Sequence, residues 1–124
     1  MSIWSYANPV KFLALSARIQ PTLWALAIAG MAIGLTWGFF FTPNDFRQGS
    51  TVKIIYIHVP SAWIGINAWI MMLVASLIWL IRRHHVSALA AKAAAPVGLV
   101  MTVIGLLTGA IWGQPMWGTW WAWD

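Results

Sequence analysis

Two long runs carry no charged side chain, Thr22 to Phe41 and Val59 to Ile81, and a third uncharged stretch reaches from Ala93 to Trp123. A helix needs about 20 apolar residues to cross roughly 30 Å of hydrocarbon. The first two runs have that length. The third is too long for one crossing. Pro96 suits a first helical turn and Gly113-Gln114-Pro115 reads as a break, which predicts a span over about 94–112 and a separate element from Met116 onward. The expected fold is an all-α membrane protein: one domain with three transmembrane helices over about 22–41, 59–81 and 94–112, followed by an interfacial Trp-rich segment, 113–124.

Composition agrees. Of 124 residues, 61% are hydrophobic and 7% charged, against the roughly 25% charge of a soluble domain. Seven Lys and Arg face two acidic residues. The cations sit between apolar runs rather than along a stripe on a soluble fold, which argues against a nucleic-acid partner. The absence of Cys excludes disulfides and thiolate metal sites. No basic region precedes Lys11 and no cleavage site follows a short apolar core, so no cleaved signal is expected. Residues 4–18 mix Trp4, Tyr6, Phe12 and Leu13 with Lys11 and Arg18, either an amphipathic helix lying in the interface or a frayed tail.

Lys and Arg in short loops set orientation. Lys11, Arg18, Arg82, Arg83 and Lys92 fall on one side, Arg47 and Lys53 on the other. The N-terminus and the 82–92 loop are therefore expected in the cytoplasm. The 42–58 loop and the C-terminal tail share the outer side. His84 and His85 extend the inner basic anchor beside anionic lipid. Gly30, Gly34 and Gly38, and again Gly105, Gly109 and Gly113, recur four apart, the spacing of a close helix-packing face. Glycine is also simply frequent in membrane helices.

The tail holds Trp112, Trp117, Trp120, Trp121 and Trp123 within a few turns of chain. If 116–124 is helical, Trp117, Trp120, Trp121 and Asp124 share one face. That face is either an interfacial aromatic belt or a platform for a large planar apolar ligand such as a porphyrin. His58 precedes Pro60, which places it about one step outside the second helix, on the same outer side as the tail. It is either a hydrogen-bonded interface residue or an axial iron ligand beside an aromatic wall. Arg47 and Lys53 are either solvated loop charges or partners for carboxylates on the ligand's edge.

Trp117-Gly118-Thr119-Trp120-Trp121-Ala122-Trp123-Asp124 fits the W-G-x-x-W-x-W-D pattern of the tryptophan-rich haem-handling membrane proteins. Together with Ile54-Ile55-Tyr56-Ile57-His58-Val59-Pro60, it resembles the haem exporter protein C family of the cytochrome c maturation system, over essentially the whole chain. The resemblance implies a protein of the bacterial inner membrane that binds b-type haem transiently on the periplasmic side. It implies delivery of that haem to a small haem chaperone, in company with ABC-type transporter subunits and a small membrane subunit. His58 would be an axial ligand to the haem iron. Trp117, Trp120, Trp121, Trp123 and Asp124 would form the haem-binding segment, and Lys53 stands where a propionate contact is expected. Members of the family look like six-span proteins with a second axial histidine in a later outer loop, so this chain resembles their first half. No acid–base pair or nucleophile points to an enzyme. The alternatives are part of a related haem lyase or cytochrome c synthase of the same superfamily, or a membrane scaffold whose Trp cluster is only an anchor. A small multidrug pump is disfavoured, because no span contains a carboxylate.

Overall fold

In hydrocarbon every backbone N–H and C=O must be bonded within the protein, so long apolar runs have little choice but helix. The computed structural model describes residues 3–123 and contains no strand among them. Its three long helices are α1 (Pro9–Thr36), α2 (Ile55–Arg82) and α3 (His85–Trp117). Each is part of a helical stretch long and apolar enough to cross a membrane. A π-helical turn, Trp37–Phe41, extends α1, and 3-10 turns, Ile3–Ala7 and Ser50–Ile54, lead into α1 and α2.

The helices are longer than the apolar runs, and three expected boundaries move. The segment 4–18 is not a separate interfacial helix. Asn8 caps α1, its Oδ1 accepting from the backbone N–H groups of Val10 and Lys11 at 3.0 and 3.3 Å, and the helix then passes through Pro21 without ending. The expected 82–92 loop shrinks to Arg83 and His84, because α3 starts at His85 and takes Lys92 into the helix. At the other end α3 runs through Pro115 to Trp117. Proline costs a membrane helix one internal hydrogen bond, while unwinding there would expose several more backbone groups. Arg83 reverses the chain in the left-handed region, φ 52°. Its N–H donates to Trp79 O at 2.8 Å and its guanidinium lies 4.8 Å from the Trp79 ring centroid, contacts that offset the backbone strain.

The interior is built from small side chains. Ala68, Ala75 and Ala94 are the buried apolar residues among those described, joined by Ser61 and Ser87 and by Gly65, Gly98, Gly105 and Gly113. The Leu, Ile and Trp side chains of the spans point mostly outward, the arrangement expected where lipid is the solvent. α2 and α3 form a tight antiparallel hairpin along this seam. A Cβ added at Gly98 would lie 3.2 Å from Ala68 Cβ, so glycine sets the interhelical distance there. α1 buries no residue. It meets the hairpin through Gly38 against the Tyr56 ring and through Lys53, whose Nζ donates to Phe39 O at 2.8 Å. Its N-terminal end, at Ala7 and Phe12, approaches Met71 and Arg82.

The 42–54 connection is folded on Asp45. Its Oδ1 accepts from the N–H groups of Arg47 and Gln48, both at 2.8 Å, and its backbone pairs with Gly49, which adopts φ +59°. This turn lies at the same end of the bundle as the C-terminal tail, because Gln48 Oε1 accepts from Trp112 Nε1 at 2.9 Å.

Candidate functional site

Ser50–Ile54 winds directly into α2, so the helix starts earlier than Pro60 suggests and His58 lies inside its first turns rather than before it. The imidazole packs against α3. Its Nδ1 is 3.0 Å from Gly105 O and 3.2 Å from Thr108 Oγ1. A carbonyl oxygen can only accept, so Nδ1 carries a proton, and in the neutral imidazole Nε2 is then the nitrogen with the lone pair. Thr108 donates its own hydroxyl proton to Ile104 O at 2.7 Å, leaving the hydroxyl oxygen able to share the His58 proton. The ring is thus fixed in one tautomer by α3, the kind of support that orients a metal-ligating histidine.

Glycine makes this seat possible. A Cβ at Gly109 would sit 3.0 Å from His58 Cε1, tighter than an ordinary contact, so a larger residue there requires the ring to give by a few tenths of an ångström. Above the ring, Trp112 lies with centroids 5.8 Å from His58 and 6.3 Å from Trp117. Gln48 holds the Trp112 indole N–H from the loop side. α3 then ends at Gly118 in the left-handed region, φ +74°, with its N–H on Gln114 O at 2.9 Å.

The residues after Gly118 are not helical, so the single face expected for Trp117, Trp120, Trp121 and Asp124 does not form. Instead the chain reverses and folds back over α3. Thr119 pins this return, its Oγ1 donating to Trp121 O at 2.9 Å. Trp117, Trp120 and Trp121 still come together, as the walls of an open cavity of about 610 Å³ that His58, Gly105, Gly109 and Gly113 also line. That is within the range of small-molecule and cofactor sites.

Other expected site residues lie elsewhere. Lys53 does not line the cavity: its ammonium donates to Phe39 O, a carbonyl of the π-helical turn. Arg47 stacks on the exposed Phe46 ring at 5.3 Å. Trp123 is 93% exposed and packs edge-on against Trp121, 5.5 Å between centroids. Asp124 lies outside the described residues. Among the described residues no three His, Asp or Glu side chains converge, and His58 is the one histidine among the residues that line the cavity.

Residues 2–124 match the family described as Heme exporter protein C. The chain belongs to this family. It is 68% identical over 124 residues to the Heme exporter protein C of Rhodobacter capsulatus and 70% identical over 124 residues to that of Paracoccus denitrificans, covering 100% of this chain and 51% of each relative. Its identity to the Heme exporter protein C of Escherichia coli K12 is 41% over 118 residues, 95% of this chain and 48% of the relative. The chain therefore spans about half the length of the curated relatives it matches.

In this chain of the Heme exporter protein C family, the sequence points to the histidine and the tail tryptophans but not to the residues that hold them. Gly105 and Gly109 were visible only as a packing face, and Thr108, Trp112 and Gln48 were not singled out as partners of His58. Their roles arise from the register of α2 on α3 and from where the Asp45 turn docks on α3, neither of which leaves a local sequence signal.

Proposed function

We propose that this chain is the haem-handling half of a membrane haem carrier for cytochrome c maturation. His58 Nε2 serves as one axial ligand of the iron, and Trp117, Trp120 and Trp121 stack on or flank the macrocycle. The carrying observation is a single imidazole fixed with Nδ1–H on Gly105 O, its Nε2 lone pair free, in the wall of an aromatic cavity. One nitrogen donor suits a metal that brings its own equatorial ligands, as iron does in a porphyrin. The apolar, open cavity suits a flat cargo that must also leave. Trp123 and Asp124 continue the same segment of the sequence, and we include them in the binding region. Lys53 supports the site indirectly, by tying the end of α1 to the loop before α2.

The haem is b-type and held transiently, and the chain acts as a carrier rather than a catalyst. The cavity faces the periplasm and the Arg83–His84 turn faces the cytoplasm, in a bacterial inner membrane, as the distribution of Lys and Arg favours. The chain works as the first half of a six-span protein whose remaining half supplies the second axial histidine. Its partners are ABC-type transporter subunits, a small membrane subunit and a periplasmic haem chaperone. The direct test is haem titration of the purified chain in detergent beside His58→Ala. A Soret shift in the wild type that is absent or strongly weakened in the variant is expected. Identical shifts in both would remove His58 from the site.

A further inference from the structure

The α2–α3 hairpin has two long flanks, and the His58 cavity uses only one. On α2, His58, Ala62, Ile66 and Trp69 follow that flank. Trp63, Asn67, Met71, Val74 and Ile78 follow the other, at three- and four-residue spacing. Two adjoining grooves of about 550 and 650 Å³ run along this second flank and meet at Met71. From Trp63 to Arg82 the trough is about 28 Å long at the helical rise per residue, close to the depth of a bilayer's hydrocarbon. Its sides come from α2 and from the alanine-rich start of α3, including Ala90, Ala93 and Ala94. α1 reaches only its far end, with Ala7 and Phe12.

Midway along α2, Asn67 is exposed at the edge of this trough. Its one side-chain hydrogen bond among the described residues runs from Nδ2 to Trp63 O of its own helix, at 2.8 Å. The amide oxygen is left facing a region that would otherwise be hydrocarbon. An uncompensated polar group there is costly, and polar side chains in spans turn toward protein. The Heme exporter protein C relatives carry about as much chain again as is matched here, enough for further spans.

We propose that the trough is the seat of a transmembrane helix from the other half of the full-length protein, and that this helix donates a hydrogen bond to Asn67 Oδ1. The helix seat and the His58 cavity lie on different flanks of the hairpin, which leaves the cavity open to the part of the other half that supplies the second axial histidine. This assignment rests on the six-span reading above and not on the haem ligand.

The test joins residues 1–124 to the half of the Rhodobacter capsulatus relative that they do not cover, with p-benzoylphenylalanine placed either at position 71 or at position 77, where Leu77 points outward. After irradiation in membranes, crosslinked peptides are identified by mass spectrometry. Position 71 is expected to crosslink to the added half several-fold more than position 77. Asn67→Leu is expected to reduce that yield several-fold and Asn67→Gln to restore it. Crosslinks from position 71 only to lipid, to α1 or to a second copy would overturn the proposal. So would equal yields from the two positions, or an Asn67→Leu yield equal to the wild type. The same experiment with the two halves co-expressed covers a fusion that fails to insert. Halves that do not associate in that arm count against the proposal.

Discussion

Two glycine triplets in this chain share one spacing and have opposite surroundings. On α1, Gly30 and Gly34 have nothing within 4 Å of where a Cβ would stand, and only Gly38 meets a neighbour, the Tyr56 ring. On α3 all three positions are occupied. Gly105 faces the backbone of Ala62, Gly109 faces the His58 ring, and Gly113 faces Trp117 and the carbonyl of Thr119. Periodicity announces that a helix has a narrow face. What fills the face depends on which helix packs there, and α3 packs along its length while α1 touches the hairpin chiefly at its ends. The α3 face also does two jobs, closing the hairpin below and seating the imidazole above.

That contrast can be broken by adding single methyl groups. The largest effect is expected at Gly38→Ala, where the new Cβ would lie 2.7 Å from Tyr56 Cγ. The ring root cannot swing aside as a side-chain tip could, so stability should fall by about 1–3 kcal/mol, the usual range for overpacking, read as a lower melting temperature in detergent. Gly109→Ala comes next. It presses on His58 Cε1 at 3.0 Å and should weaken haem binding by about tenfold, or roughly 1.4 kcal/mol, with a smaller change in melting temperature. Equal effects on both readouts would make Gly109 a packing residue only. The smallest effect is expected for Gly30→Ala with Gly34→Ala, within about 0.5 kcal/mol in stability, as for substitutions away from contacts. A large loss in the isolated chain would mean that α1 packs more tightly than its open glycines indicate.

Much of the architecture was legible because hydrocarbon leaves a chain few options. Uncharged runs of spanning length announce helices, and each of 22–41, 59–81 and 94–112 lies within a longer helical stretch that is long and apolar enough to cross a membrane. The ends were harder. Pro115 and the basic residues from Arg82 to Lys92 read as breaks by rules learned in water. A helix that is already membrane-bound loses less by keeping a proline than by unwinding, and α3 extends at both ends. The tail is the converse case. Trp117, Trp120 and Trp121 were identified by motif, but Gly118 in the left-handed region sends the chain back on itself, so they line the cavity through a reversal rather than a helical face. Lys53 donates to the Phe39 carbonyl, which lies in the last turn before Pro43, where a helix leaves carbonyls unpaired and proline has no N–H to offer. Thr108, Trp112 and Gln48 become neighbours of His58, directly or through one another, only when α2, α3 and the Asp45 turn are assembled.

The central claim is that a metal bond forms at His58 Nε2, oriented by Gly105 and Thr108. It is tested most directly by His58→Gly, which leaves a ring-shaped gap where the imidazole packed, followed by titration with free imidazole while the spectrum of added haem is recorded. The account predicts that the wild-type axial-ligand signature disappears in the variant and returns as imidazole fills the gap. A His58→Gly spectrum that matches the wild type and does not respond to imidazole would contradict it.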